Sequence, residues 1–114
     1  MIFEQYEIWL ADLNPQMGTE AGKIRPVLVV QTDSLNRIPH SSVLICPLTT
    51  NVVRSAIYLR VHLKAGMAFL SKDCDIMTDQ IRAIDTRRLI RLLGKLPAKA
   101  IKEVRDNLRI ALDL

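Results

Sequence analysis

The stretch Gly18 to Val30, GTEAGKIRPVLVV, gathers glycine and positive charge as a phosphate-binding loop does. A Walker loop needs four residues between its glycines, then Lys and Ser/Thr, and a helix behind it so that backbone N–H groups cradle phosphate. Here only Thr19, Glu20 and Ala21 separate Gly18 from Gly22, Ile24 stands where the hydroxyl belongs, and a β-branched run follows instead of a helix. The nucleotide-loop reading fails. What is left is a glycine-hinged loop that delivers Lys23 and Arg25 to the start of a strand. Pro26 excludes the helical region for the residue before it and so holds Arg25 extended. Elsewhere Cys46 and Cys74 lie 28 positions apart with no CxxC spacing and no His at metal-ligand intervals, which reads as two small buried hydrophobes and no metal site.

The elements that must position these charges are mostly strands. Tyr6 to Asp12 alternates with a period of two and is closed by the turn residues DLNP. Gln16 to Lys23 is loop, and Pro26 to Thr32, PVLVVQT, is a continuous apolar run of the kind found in a strand covered on both faces. DSLNRIPHSS is a polar connection, Val43 to Leu48 a third strand, and TTNVVRSA a second polar connection before a strand over Ile57 to Leu63. Pro47 cannot donate to a ladder, so the chain is expected to bend there. Phe69 to Met77, Gln80 to Ile84 and Leu92 to Leu96 read as further strands, with DTRRL as a single helical turn. Pro97 opens the one long helix, whose apolar face is Ile101, Val104, Leu108, Ala111 and Leu112. Lys99 with Glu103 and Lys102 with Asp106 form opposite-charge pairs on its outer side. Several short strands and a terminal helix imply a mainly β, barrel-like fold with a helix packed on it, in one domain over residues 1–114.

Bulk properties narrow the partners. The chain is 49% hydrophobic and 25% charged, and no apolar run approaches the roughly 20 residues of a membrane span. Glu4 and Glu7 stand where a signal peptide would carry Lys or Arg, so a cytoplasmic protein is expected. A net charge of +4 and a pI near 9.4 point to an anionic partner. Residues 82 to 114 carry nine of the sixteen Lys and Arg against four acids, so the basic part is the carboxy-terminal third.

IWLADLNP followed by GTEAGKIRPVLVVQTD resembles the amino-terminal signature of the MazF/PemK/Kid family of toxin endoribonucleases, and LTT and DQIRAID resemble its next two blocks. The likeness is collinear from Tyr6 to about Asp85. It implies an SH3-like, partly open barrel that acts as a homodimer, cuts single-stranded RNA without a metal or other cofactor, and is restrained by an acidic antitoxin. It also implies catalytic roles for Arg25 and for Thr49 of PLTT, with Thr50 as the neighbouring alternative. Thr19 and Glu20 of the loop lie near the RNA in such relatives, and Asp79 and Gln80 fall where relatives read bases, with Lys23 and Arg82 as further RNA contacts.

The residue chemistry is compatible with those roles. A guanidinium offers five donors in a planar fork, which suits a phosphate gaining negative charge, and it cannot act as a base. The proton of a ribose 2′-hydroxyl must go elsewhere: to Glu20, to solvent or to the phosphate itself. His40 in a loop and His62 in a strand are not expected to form a catalytic pair. Trp9 serves either as packing or as a stacking surface. A relative of the CcdB kind, with this barrel but binding DNA gyrase and cutting nothing, is the alternative reading; it has no need of the arginine and threonine.

Overall fold

The computed structural model describes residues 2–114, and its architecture follows from three strands buried on both faces. These are β1 (Glu7–Asp12), β2 (Ile24–Val29) and β3 (Ser42–Thr49), paired antiparallel in that order. β4 (Arg60–Leu63), β5 (Cys74–Met77), β6 (Arg82–Asp85) and β7 (Leu89–Lys95) complete an open antiparallel sheet ordered β4-β5-β3-β2-β1-β7, with β6 also on β3. Ile8, Leu28, Cys46 and Leu48 point into one core with Val61, Leu63 and Ile76; Trp9, Ala11, Val27, Val29 and Ile45 point into a second with Ala21, Ile84 and Leu89. Period-two alternation thus feeds two apolar layers, and the sheet must curl to enclose both.

β3 holds the sheet together because it changes partners. On one side its Ser42–Ile45 half pairs with β6, and Leu48 and Thr49 pair with Ile76 and Asp75 of β5. Pro47 lies between the end of one ladder and the start of the other, where a residue without a donor is tolerated.

One short helix and one long one flank the sheet. α1 (Asp33–Asn36) occupies part of the segment read as a polar connection, and its Asp33 carboxylate accepts from the Gln5 backbone N–H at 2.8 Å. α2 (Ala98–Leu112) starts directly after Pro97 and closes the first core with Ala100 and Val104, while Ile101 and Leu108 are half-buried. The expected stripe is shifted at its end: Ala111 and Leu112 run past the sheet into solvent, and Asn107 is buried instead, donating to the Arg60 carbonyl at 3.2 Å. Lys102 and Asp106 pair at 3.0 Å, whereas Lys99 and Glu103 form no ion pair among the described residues. No helix is long and apolar enough to cross a membrane among the described residues.

Three expected strands are shorter than their apolar runs. The fourth begins at Arg60, not Ile57, and the fifth at Cys74, not Phe69, because Met67–Phe69 turns as a 3₁₀ helix with Ala68 and Phe69 at positive φ. Thr78–Gln80 forms another 3₁₀ turn, so β6 starts at Arg82. The turn in DTRRL is present as Thr86–Arg88, with the Asp85 carboxylate accepting from the Arg87 backbone N–H. Trp9 packs: it is 7% exposed, inside the second core, and its indole N–H donates to the Glu7 carboxylate at 3.1 Å. A free stacking surface at that position is therefore excluded in this form of the chain.

Candidate active site

The loop before β2 is tied down at several points so that Arg25 is presented in one way. Lys23 adopts φ +67°, its backbone N–H donates to the Asn14 side chain at 2.8 Å, and its carbonyl accepts from the Leu13 N–H at 2.9 Å. Gly22 is required here by crowding, since a Cβ would lie 2.4 Å from Cβ of Gln16. The Gly22 carbonyl accepts from Nε of Arg25 at 2.7 Å, and the Leu48 carbonyl at the end of β3 accepts from its Nη1 at 3.2 Å. Two backbone carbonyls thus fix the guanidinium. Burial without a carboxylate partner pulls its pKa below the usual guanidinium value.

Arg25 lies on a groove of about 950 Å³ between the start of β2, the end of β3, the turn around Phe69 and β7. Lys23, Arg25, Lys72 and Arg91 line it, and no Asp or Glu does. Thr49 and Thr50 stand on the same wall. The Thr49 hydroxyl oxygen accepts from the Asn51 N–H at 3.1 Å, which leaves its own proton free to donate. Cys74 also reaches this wall, but burial and then the charges of Asp73 and Asp75 push its thiol up. Burial pushes Cys46 up to about 12, so neither cysteine is a thiolate at neutral pH, and both are free.

Behind Thr49 lies a polar group that sequence reasoning missed. Asp75 is in register with Thr49, fully buried, and accepts from the Val53 N–H at 2.8 Å and from Nη1 of Arg60 at 3.2 Å. His62 Nδ1 contacts its other carboxylate oxygen, and Arg60 donates in addition to the Asn51 carbonyl at 3.1 Å. The segment after Thr49 is therefore clamped from beneath. The available signal was a lone charge in the apolar run CDIM, because a buried charge demands partners.

The remaining expected residues form a second cluster. Gln80 accepts from the Ala21 N–H at 3.1 Å and donates to the Thr19 carbonyl at 3.4 Å, while Arg82 pairs with Glu20 at 3.4 Å. Asp79 is exposed beside them. The structure thus brings the GTEAGK and DQIR blocks together, and brings Lys23, Arg25 and Thr49 together on the groove. It does not place Glu20 among the groove-lining residues. His40 and His62 are each engaged locally, the first accepting from the Ser42 N–H and the second on Asp75. Among the described residues no group of three or more His, Cys, Asp or Glu could hold a metal ion.

Fold and groove together define a small curled β-sheet protein with a cationic cleft built around one oriented arginine. Comparison with known proteins identifies the class. The profile described as PemK-like, MazF-like toxin of type II toxin-antitoxin system matches residues 4–112, and the chain belongs to that family. It is 35% identical over 113 residues to Endoribonuclease MazF9 of Mycobacterium tuberculosis, covering 95% of this chain and 94% of that protein. Its fold superposes on the crystal structure of MazF from Deinococcus radiodurans with a TM-score of 0.84 at 25% identity, covering 100% of this chain and 99% of the other. A crystal structure of MazE-MazF from the same organism superposes with a TM-score of 0.77 at 25% identity, covering 100% and 98% of the two chains.

Proposed function

We propose that this chain is a toxin endoribonuclease that cuts single-stranded RNA in the groove carrying Arg25 and Thr49, by attack of the ribose 2′-hydroxyl and with no metal in the step. The observation that carries the reading is the lining: four cations, no carboxylate, and a guanidinium held by two backbone carbonyls. Five donors less those two leaves three for the scissile phosphate. The 2′-oxygen bonds to phosphorus as the bond to the 5′-oxygen breaks. Arg25 stabilises the charge growing on the non-bridging oxygens, and the Thr49 hydroxyl donates to one of them. The leaving 5′-oxygen is protonated from solvent, giving a 2′,3′-cyclic phosphate and a 5′-hydroxyl.

The proton released by the 2′-hydroxyl goes to Glu20, to solvent or to the phosphate, and Glu20 would first have to leave Arg82. Glu20→Gln tests the first of these routes by whether the rate collapses. Lys23 contacts the RNA backbone in the groove, and Thr19, Asp79, Gln80 and Arg82 extend the path along the second cluster, with Gln80 acting by holding the loop. RNA as substrate puts the protein in the cytoplasm. An acidic antitoxin segment would occupy the same groove, its carboxylates taking the place of phosphates. A CcdB-like reading gains nothing from an arginine oriented toward a cleft.

The test is cleavage of a long single-stranded RNA in EDTA, with products analysed by mass spectrometry. Cyclic phosphate ends are expected, deoxyribose at the cleaved position should block the reaction, and an acidic antitoxin tail should quench it. Ends bearing 5′-phosphate, or no cutting at all, would refute the assignment.

The family resemblance and an uncovered apolar surface also support a symmetric dimer. Ile57, Tyr58 and Leu59 stand exposed in succession, as do Ile110 and Leu112 on α2. Sedimentation equilibrium at micromolar concentration should give twice the chain mass; a 12.9 kDa species would contradict the dimer.

A further inference from the structure

The turn beneath Phe69 places two non-glycine residues in the left-handed region. Gly66, Ala68 and Phe69 all have positive φ, at 94°, 49° and 60°. For Ala and Phe that conformation is disfavoured, and such outliers gather at functional sites. The turn is nonetheless firmly held. The Gly66 N–H donates to the Leu70 carbonyl at 2.7 Å, the Leu70 N–H donates to the Met67 carbonyl at 2.9 Å, and Leu70 is buried in the first core. β7 makes room for it with Gly94, where a Cβ would lie 2.8 Å from the Ala68 carbonyl oxygen. The result is a phenyl ring that is 86% exposed and joins neither core.

That ring stands on the cationic groove, where it is the only aromatic among the lining residues, with Lys72 three positions on and Arg91 on β7. Cations that track a backbone, combined with an aromatic face, are what proteins use to hold unpaired nucleic acid, since every base offers a π-face. We propose that Phe69 is a stacking platform for an unpaired base of the bound RNA, with Lys72 and Arg91 holding the flanking phosphates. The inference rests on the RNA-cutting function proposed above. The lining as a whole points to this occupant: an apolar protein segment would leave four cations unpaired and an acidic one would answer the cations alone, whereas an RNA strand supplies a base for the ring as well as phosphates for the cations.

The experiment uses the full chain and a single-stranded RNA that the wild type cuts, made uncleavable by deoxyribose at the cleaved position and carrying 2-aminopurine in turn at each flanking base. Phe69→Gly is the main variant, because glycine suits the left-handed backbone and removes only the ring; Phe69→Trp restores an aromatic face. Phe69→Gly should weaken RNA binding about 5- to 150-fold and, with the cleavable all-ribose strand, raise KM more than it lowers kcat, with a thermal midpoint no lower than that of the wild type. Quenching of one 2-aminopurine on binding should disappear, and Phe69→Trp should recover it. Equal affinity and equal quenching in wild type and Phe69→Gly would overturn the platform while leaving the nuclease reading intact. So would unchanged RNA binding together with weakened self-association, which would make the ring a contact between copies. A wild-type chain that neither binds nor cuts RNA would overturn both.

Discussion

Arg25→Ala should cut RNA about 30- to 150-fold more slowly than the wild-type chain, a loss of about 2 to 3 kcal/mol of transition-state stabilisation, as removal of one preorganised donor typically gives. The effect belongs to the chemical step and should appear in single-turnover rates. Arg25 reaches its position through Pro26, the Gly22 carbonyl and the Leu48 carbonyl, all of which fix it before substrate arrives. Circular dichroism should be unchanged, since the two carbonyls released lie at a groove that water can enter. A lysine at the same place is a point charge that cannot serve both carbonyls and a phosphate together, so Arg25→Lys should recover only part of the rate. Thr49→Ala should lose about tenfold, in line with one neutral hydrogen bond. Wild-type rates in a folded Arg25→Ala protein would remove the arginine from the mechanism, and a larger loss at Thr50→Ala would move the hydroxyl role one residue along.

How much of this was legible depended on whether local chemistry or tertiary approach set each feature. β1, β2 and β3 are written in alternation and β-branched runs, and the arginine at the strand start is written in the dipeptide Arg25–Pro26. The meeting of Gln80 with Ala21 could be expected only through family resemblance, because no periodicity links positions 59 apart. Phe69 reads as the start of a strand running to Met77, since Phe favours strands, yet it closes the turn Met67–Phe69; that turn packs on Gly94, a contact invisible in either segment alone. Nothing local in the sequence singles out Lys72 and Arg91, which that turn and β7 bring to the groove. Trp9 was ambiguous because an amphipathic strand leaves its second face open in the sequence. Here the loop's Ala21 and the strand residues Val27, Val29 and Leu89 cover that face.

Asp75 carries the second large effect, and it falls on stability before it falls on rate. Its carboxylate is fully buried and receives the Val53 N–H and the Arg60 guanidinium, with His62 on the other oxygen. Asp75→Ala leaves the Val53 N–H without a partner and Arg60 with the Asn51 carbonyl alone. Removing one member of a buried pair destabilises by about 3 to 5 kcal/mol, and the lower end applies because the Arg60 and His62 side chains remain 19% and 35% exposed and can turn to water. A loss of about 3 kcal/mol is a large share of the roughly 5 to 15 kcal/mol that holds a domain together. Urea unfolding should show a midpoint lowered with the slope unchanged, which would place the change in the folded state. Cleavage should fall as well, at temperatures where the variant is still folded. Asn51 and Val53 are held through Arg60 and Asp75, and Asn51 in turn donates to the Thr49 hydroxyl, so releasing that segment lets the hydroxyl drift from the phosphate. Asp75→Asn separates the two effects. It keeps the shape and one acceptor for the Val53 N–H, so Thr49 should stay in place and the rate should recover more fully than the stability. An Asp75→Ala protein with an unshifted urea midpoint would show that the clamp contributes nothing to the fold, and wild-type kcat in that variant would show that it does not position Thr49.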